Sequence, residues 1–169
     1  MILTQDEILK RINNYKLEIT NINYSNLNPN SYDLTLANSL LMYTDPLLDS
    51  KSKPHTTKID IPEEGLVLKP NEIYLMSSVE MISFKETAGI VYGKSSLGRL
   101  GLIPNTGAGF IDVGYEGNIT LPVTVIRPVR IYRGMKICQV AFYDVKGEIT
   151  RYTGQYQGSN GASGSKGVK

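Results

Sequence analysis

One cysteine and one histidine are all that this chain of 169 residues has of either. A lone Cys138 cannot close an internal disulfide, which fits a reducing cytoplasm. With only His55 to join it, the usual nitrogen and sulfur ligands of a zinc centre are lacking. Hydrolysis, if the chain performs it, therefore rests on water activated by a carboxylate, or on a metal that the substrate carries in. Long apolar runs are lacking too, so no segment is expected to span a membrane. Met1-Ile2-Leu3 runs at once into Asp6 and Glu7, and no signal peptide is expected. Nor is there an excess of one charge. The net charge of +2 provides no basic field for nucleic acid. No internal repeat is visible. What remains is ordinary: 41% hydrophobic and 20% charged residues, enough for one soluble domain with a substantial core.

Thr4-Gln5-Asp6-Glu7 has the form of a capping box, and Ile8, Leu9 and Ile12 continue it as a short helical stripe ending near Asn13-Asn14. Beyond it, Pro, Gly and Asn punctuate short β-rich runs. These are Tyr32–Leu36, Leu40–Tyr43, Leu66–Leu68, Ile73–Ser78, Gly89–Tyr92, Ile119–Val125, Val129–Tyr132 and Lys136–Tyr143. Many short strands with turn signals predict a mainly-β barrel or jelly-roll. Asp45–Thr57 is polar and irregular and reads as an exposed loop. Residues 1–153 form the expected domain. Residues 154–169, with five glycines and three serines, cannot fold alone. They read either as a frayed tail or as a flexible lid whose backbone N–H groups could meet phosphates.

Two stretches carry the chemistry. In Gly93-Lys94-Ser95-Ser96-Leu97-Gly98-Arg99, a cation, two hydroxyls and an arginine suit an anionic ligand, although a solvated Ser-rich turn would look the same. Arg99 would hold a phosphate, or a carboxylate of a neighbouring subunit. In Gly107–Leu121, Asp112 sits in a glycine-bounded hairpin, where it could orient and deprotonate water or simply form a turn. Tyr115 could lie against a sugar and exclude a 2′-hydroxyl, or fill the core.

Taken with Pro29–Leu36, Leu68–Glu72, Gly134-Met135-Lys136-Ile137-Cys138-Gln139 and Tyr156-Gln157-Gly158, these stretches resemble, in order and spacing, the motifs of the trimeric dUTPase / dCTP deaminase superfamily. The opening Leu3–Ile8 resembles the N-terminal helix of the deaminases. The resemblance implies a distorted jelly-roll β-barrel of dUTPase type, a homotrimer with shared sites, and a deoxypyrimidine nucleoside triphosphate as substrate. It implies Mg²⁺ held mainly by the substrate phosphates, with no metal ligands from the protein. Substrate contacts are then expected from Lys94, Ser95, Ser96, Arg99, Ala108, Asp112, Tyr115, Gln139, Tyr152, Gln155, Tyr156 and Ser159. Of these, Asp112, Arg99 and Ser95 are expected to serve catalysis. Lys94 stands where the family has arginine. Gln155 and Ser159 stand where the deaminases have Lys and Gln.

The two branches differ at one position. Zinc-free deaminases resemble one another in a glutamate that closes a run like Ile-Thr-Leu-Glu, where it shuttles protons at C4 of the base. Here the run is Ile119-Thr120-Leu121-Pro122, and no Glu occurs between Gly117 and Gly147. Thr106-Gly107-Ala108-Gly109 also resembles the dUTPases. The sequence therefore predicts a dUTP diphosphatase, giving dUMP and diphosphate through Asp112-activated water. The alternatives are a dCTP deaminase, bifunctional or not, with another proton relay, and a binding protein that has lost catalysis.

Overall fold

Thr4 sets the first element. Its Oγ1 accepts from the Glu7 N–H at 3.4 Å, and helix α1 runs from Gln5 to Asn13 behind it. Glu7 does not reach back to the cap as a capping box would have it. Its carboxylate instead accepts from Arg11 Nε at 3.0 Å, and Arg11 also reaches Asp144 at 2.7 Å. The structure, a computed structural model, describes residues 1–104 and 108–168.

The strands that follow are β1 (Glu18–Ile19), β2 (Leu27–Asn28), β3 (Ser31–Thr35), β4 (Ser39–Tyr43), β5 (Thr56–Asp60), β6 (Leu66–Leu68) and β7 (Tyr74–Ser83). After β8 (Thr87–Gly93) comes a single helical turn, α2 (Ser95–Gly98). The chain continues through β9 (Leu102–Pro104), β10 (Phe110–Ile111), β11 (Glu116–Val125), β12 (Val129–Ile131) and β13 (Lys136–Asp144). One sheet has the order β5-β4-β7-β11-β9, with β1 also on β7; the second has the order β10-β8-β13-β3-β2; β12 and β6 form a separate ribbon. The mainly-β fold with a short N-terminal helix is thus as the sequence predicts, and its sheets are open. One apolar cluster joins them, with Leu34, Val91 and Val140 from one sheet and Met76, Leu121 and Val123 from the other. Phe84 and Phe142 are fully buried there with ring centroids 5.7 Å apart, each side chain contributing about 1.5–3 kcal/mol.

Two local expectations change. β5 begins inside the stretch expected to be a loop; its side chains are mostly exposed, and backbone pairing with β4 makes it a strand. Lys94-Ser95-Ser96 is not a simple turn, because Lys94 caps α2 and the two serines open it. No helix among the described residues is long and apolar enough to cross a membrane.

The longest pairing, β7 with β11, is interrupted. Its register shifts between Asn118 and Thr120, which face Met81 and Ser77. Ser78, Val79 and Glu80 therefore bulge opposite Ile119. The Asn118 side-chain amide donates into the bulge, 3.0, 3.2 and 3.1 Å from the carbonyls of Ser78, Val79 and Glu80. Ser78 Oγ donates to Glu80 O at 2.7 Å and accepts from Ile119 N at 2.8 Å. The buried Glu80 carboxylate accepts from Thr35 N at 2.9 Å, tying the bulge to β3. Asn118→Ala strands buried carbonyls at a cost of about 2 kcal/mol, lowering Tm by roughly 4–8 °C for a chain of this size. Thermal unfolding checks this; an unchanged Tm would mean that the backbone alone holds the bulge.

Candidate active site

Below the bulge, alternation along β11 turns Thr120 and Pro122 to one face, and a cavity of about 380 Å³ opens against it. Leu75 on β7, Val91 on β8 and Tyr43 at the end of β4 complete its apolar wall. Pro122 pairs with Leu75 on β7, and the pairing of β11 with β9 begins only at Val123, so the proline stands just outside the second ladder. Of the expected site residues, Ala108, Asp112, Tyr115, Tyr152, Tyr156 and Ser159 line the cavity.

Asp112 follows β10 directly and is exposed. Its backbone carbonyl accepts from Tyr115 N at 3.3 Å, so the turn is closed by the main chain and the side chain is left for other work. It is the one carboxylate lining the cavity among the described residues. Tyr115 is half-buried. Its hydroxyl donates to Asn118 O at 2.7 Å, and its ring meets Tyr152 edge-on at 5.8 Å. Burial pushes the Tyr115 phenol up, so it stays protonated near neutral pH.

The glycine-rich tail lies along the chain's own β11. Gln157 brackets the hairpin, accepting from Glu116 N at 3.0 Å and donating to Gly114 O at 2.8 Å. Gly158 N donates to Glu116 O at 2.9 Å, Asn118 N to Ser159 O at 2.9 Å, and Gly161 N to Asn118 Oδ1 at 2.8 Å. Further on, Ser163 N meets Thr120 Oγ1 at 3.0 Å, Ser165 N meets the Tyr43 hydroxyl at 3.1 Å, and Val168 N meets Ser50 O at 2.7 Å. Tyr43, Thr120 and Ser163–Ser165 therefore join the cavity, and the sequence reading did not name them. The period-two alternation that turns Thr120 to the face of Pro122 was the available signal.

The remaining expected residues lie elsewhere. Lys94 stands at the end of β8, where its Nζ donates to Asp33 Oδ1 at 2.6 Å. Gln139 on β13 accepts from Ser31 Oγ at 2.8 Å and donates to Gly93 O at 3.4 Å. Ser95, Ser96 and Arg99 project from α2 and its end, all exposed. None of these five lines the cavity, and neither does Gln155, which accepts from Lys166 Nζ through its carbonyl. Thr106 and Gly107 lie outside the described residues. No group of three side chains suited to hold a metal occurs among the described residues. The buried Cys138 thiol is pushed up to about 12, which leaves it unreactive.

The model of a dCTP deaminase-like family matches residues 2–145. The dUMP-forming dCTP deaminase of Hathewaya histolytica is 41% identical over 166 residues, covering 98% of this chain and 96% of its own. The enzyme of the same description from Leptospira biflexa is 42% identical over 162 residues, covering 95% and 92%. Among solved structures, a 2′-deoxycytidine 5′-triphosphate deaminase from Agrobacterium tumefaciens superposes with a TM-score of 0.67 at 20% identity. That match covers 85% of this chain and 48% of the other, so the chain spans about half its length. The dUTPase of Staphylococcus bacteriophage 80alpha gives 0.51 at 15% identity over 83% of this chain and 97% of its own. These two structures share the fold. The descriptions of the near relatives overturn the expectation of a dUTP diphosphatase, and with it the expectation that deamination is lost with the glutamate.

Gly117 has φ +148°, and a Cβ there would stand 2.8 Å from both Ser159 N and Ser159 O. Gly117→Ala is therefore expected to lift the tail from β11. Amide exchange at Gly158, Gly161 and Ser163 should accelerate while exchange in β13 stays slow. Unchanged exchange in the tail would show that the contact at Gly117 does not hold it.

Proposed function

We propose that this chain, which belongs to the dCTP deaminase-like family, is a dUMP-forming dCTP deaminase, converting dCTP and two waters to dUMP, diphosphate and ammonia. The observation that carries this reading is identity of 41% and 42% to deaminases of that description across nearly their whole lengths. The cavity supports it by offering apolar walls for a base, a half-buried tyrosine for the sugar and one exposed carboxylate.

In this reading the deoxycytidine lies in the cavity, Tyr115 packs on the deoxyribose, and Asp112 orients the attacking water. Lys94, Ser95, Ser96, Arg99 and Gln139 hold the phosphates. Because those five do not line this cavity, a second copy of the chain supplies them, which fits a homotrimer. The tail closes over the bound nucleotide through Tyr152, Gln155, Tyr156 and Ser159. The described residues offer no ligand set for a metal, so Mg²⁺ would be held mainly by the substrate phosphates and would supply charge neutralisation there. The substrate and the reduced Cys138 suit a cytoplasmic enzyme.

Pro122 shapes the chemistry. It lines the cavity where the family resemblance sets a glutamate, and it can neither give nor take a proton. Asp112, the one carboxylate lining the cavity among the described residues, is then the group assigned to proton transfer during deamination. General acid–base assistance is worth roughly 10²–10⁴-fold, so restoring a carboxylate should restore rate. Pro122→Glu is expected to raise ammonia release from dCTP by about 10²-fold or more, with nucleotide affinity little changed. If dCTP binds but neither the natural chain nor this variant releases ammonia, the deaminase reading fails. Asp112→Asn should bind dCTP and lose nearly all turnover; full turnover in that variant would place the activated water elsewhere.

A further inference from the structure

We propose that Lys136 and Lys94, both anchored on the buried carboxylate of Asp33, form a two-cation seat for the terminal phosphates of the substrate, with Asp33 as its positioning residue. This rests on the phosphate-binding reading of Lys94 given above and adds two residues to it.

The cluster stands at one end of the second sheet, where β8, β13 and β3 lie side by side. Asp33 Oδ1 takes Lys94 Nζ at 2.6 Å and Asn28 Nδ2 at 3.0 Å, while Oδ2 faces Lys136 Nζ at 3.4 Å. The Asp33 side chain is 4% exposed, that of Lys94 22% and that of Lys136 41%. A carboxylate so buried needs a partner, and Lys94 with the Asn28 amide supplies it. Lys136 is not needed for that purpose. A half-exposed lysine at 3.4 Å adds little to stability. Its reach across Asp33 leaves the cluster with one uncompensated positive charge, and Gln139 pairs with Asp33 across the sheet.

Each ammonium carries three donors. Lys94 spends one on Asp33. Lys136 also donates to Ser25 O at 3.1 Å, and its approach to Asp33 is long, so both heads keep capacity for an incoming oxyanion. A single lysine at 94 lacks the two-pronged grip of arginine on a phosphate. A second ammonium on the same carboxylate restores a two-point grip. Asp33 gathers the two heads on one carboxylate, one at each oxygen, which two free surface lysines would not achieve.

Calorimetric titration with inorganic tripolyphosphate, dCTP and deoxycytidine tests this on the full chain. For Lys136→Met we expect affinity for tripolyphosphate and for dCTP to fall about tenfold, the effect of removing one charge-assisted hydrogen bond at a half-exposed site, with deoxycytidine affinity unchanged. Lys136→Arg should recover most of that affinity. In turnover, the Met variant should raise KM for dCTP and leave kcat nearly unaltered. Asp33→Asn removes the one anion of the cluster and should still weaken both polyphosphate ligands, because both cations are then unanchored; tighter tripolyphosphate binding by that variant would show that Asp33 does not position them. Equal tripolyphosphate binding by the natural chain and Lys136→Met overturns the proposal, as does an equal weakening of deoxycytidine. If the natural chain binds tripolyphosphate through Lys136 yet ignores dCTP, the nucleotide reading fails while the two-cation seat stands.

Discussion

The site depends on how β11 is paired with β7. A regular ladder would run straight through Ile119, but the Asn118 amide gathers three carbonyls of the opposite strand and forces a bulge there. The same residue carries the tail, accepting from Gly161 N with its side chain and donating to Ser159 O with its backbone. One asparagine therefore fixes both the bulge above the cavity and the strap alongside it. The burial of Asn118 makes this costly to undo, since its partners would be left unsatisfied away from water.

The chain divides its chemistry between two places. The cavity gathers an aromatic pair, one carboxylate and the tail, and suits a nucleoside. The end of the second sheet gathers Asp33, Lys94, Lys136 and Gln139 and suits a chain of phosphates. Neither place is complete for a nucleoside triphosphate. The proposed reaction is therefore drawn with a second copy of the chain supplying the phosphate contacts. The substitution at position 122 falls entirely on the nucleoside side, so it bears on proton movement and leaves the phosphate contacts untouched.

Much of this was legible in the residues. The Thr4 cap and the alternating strands follow from local patterns, whereas the grouping of Ala108, Asp112, Tyr115, Tyr152, Tyr156 and Ser159 was implied by the family resemblance. β5 was hidden because Thr56–Asp60 buries almost nothing and is a strand through backbone pairing alone. The bulge was hidden because it depends on the reach of Asn118 across forty residues, which no local pattern records. The docking of Val168 on Ser50 is longer-range still. The diphosphatase reading failed for a different reason. Pro122 bears on one proton-transfer step, whereas identity to the deaminases runs through nearly the whole chain. A single lost proton donor sets a rate; it does not by itself choose the bond that is attacked.

The proposed enzyme opens two bonds of dCTP, the C4–N bond of the base and the bond that releases diphosphate. The most direct test of this is turnover of dCTP with Mg²⁺ in heavy-oxygen water, with the nucleotide product analysed by mass spectrometry. The account predicts dUMP carrying one label in the uracil carbonyl and one in the phosphate. Labelled dCMP, with the amino group retained, would contradict it, as would recovery of unreacted dCTP.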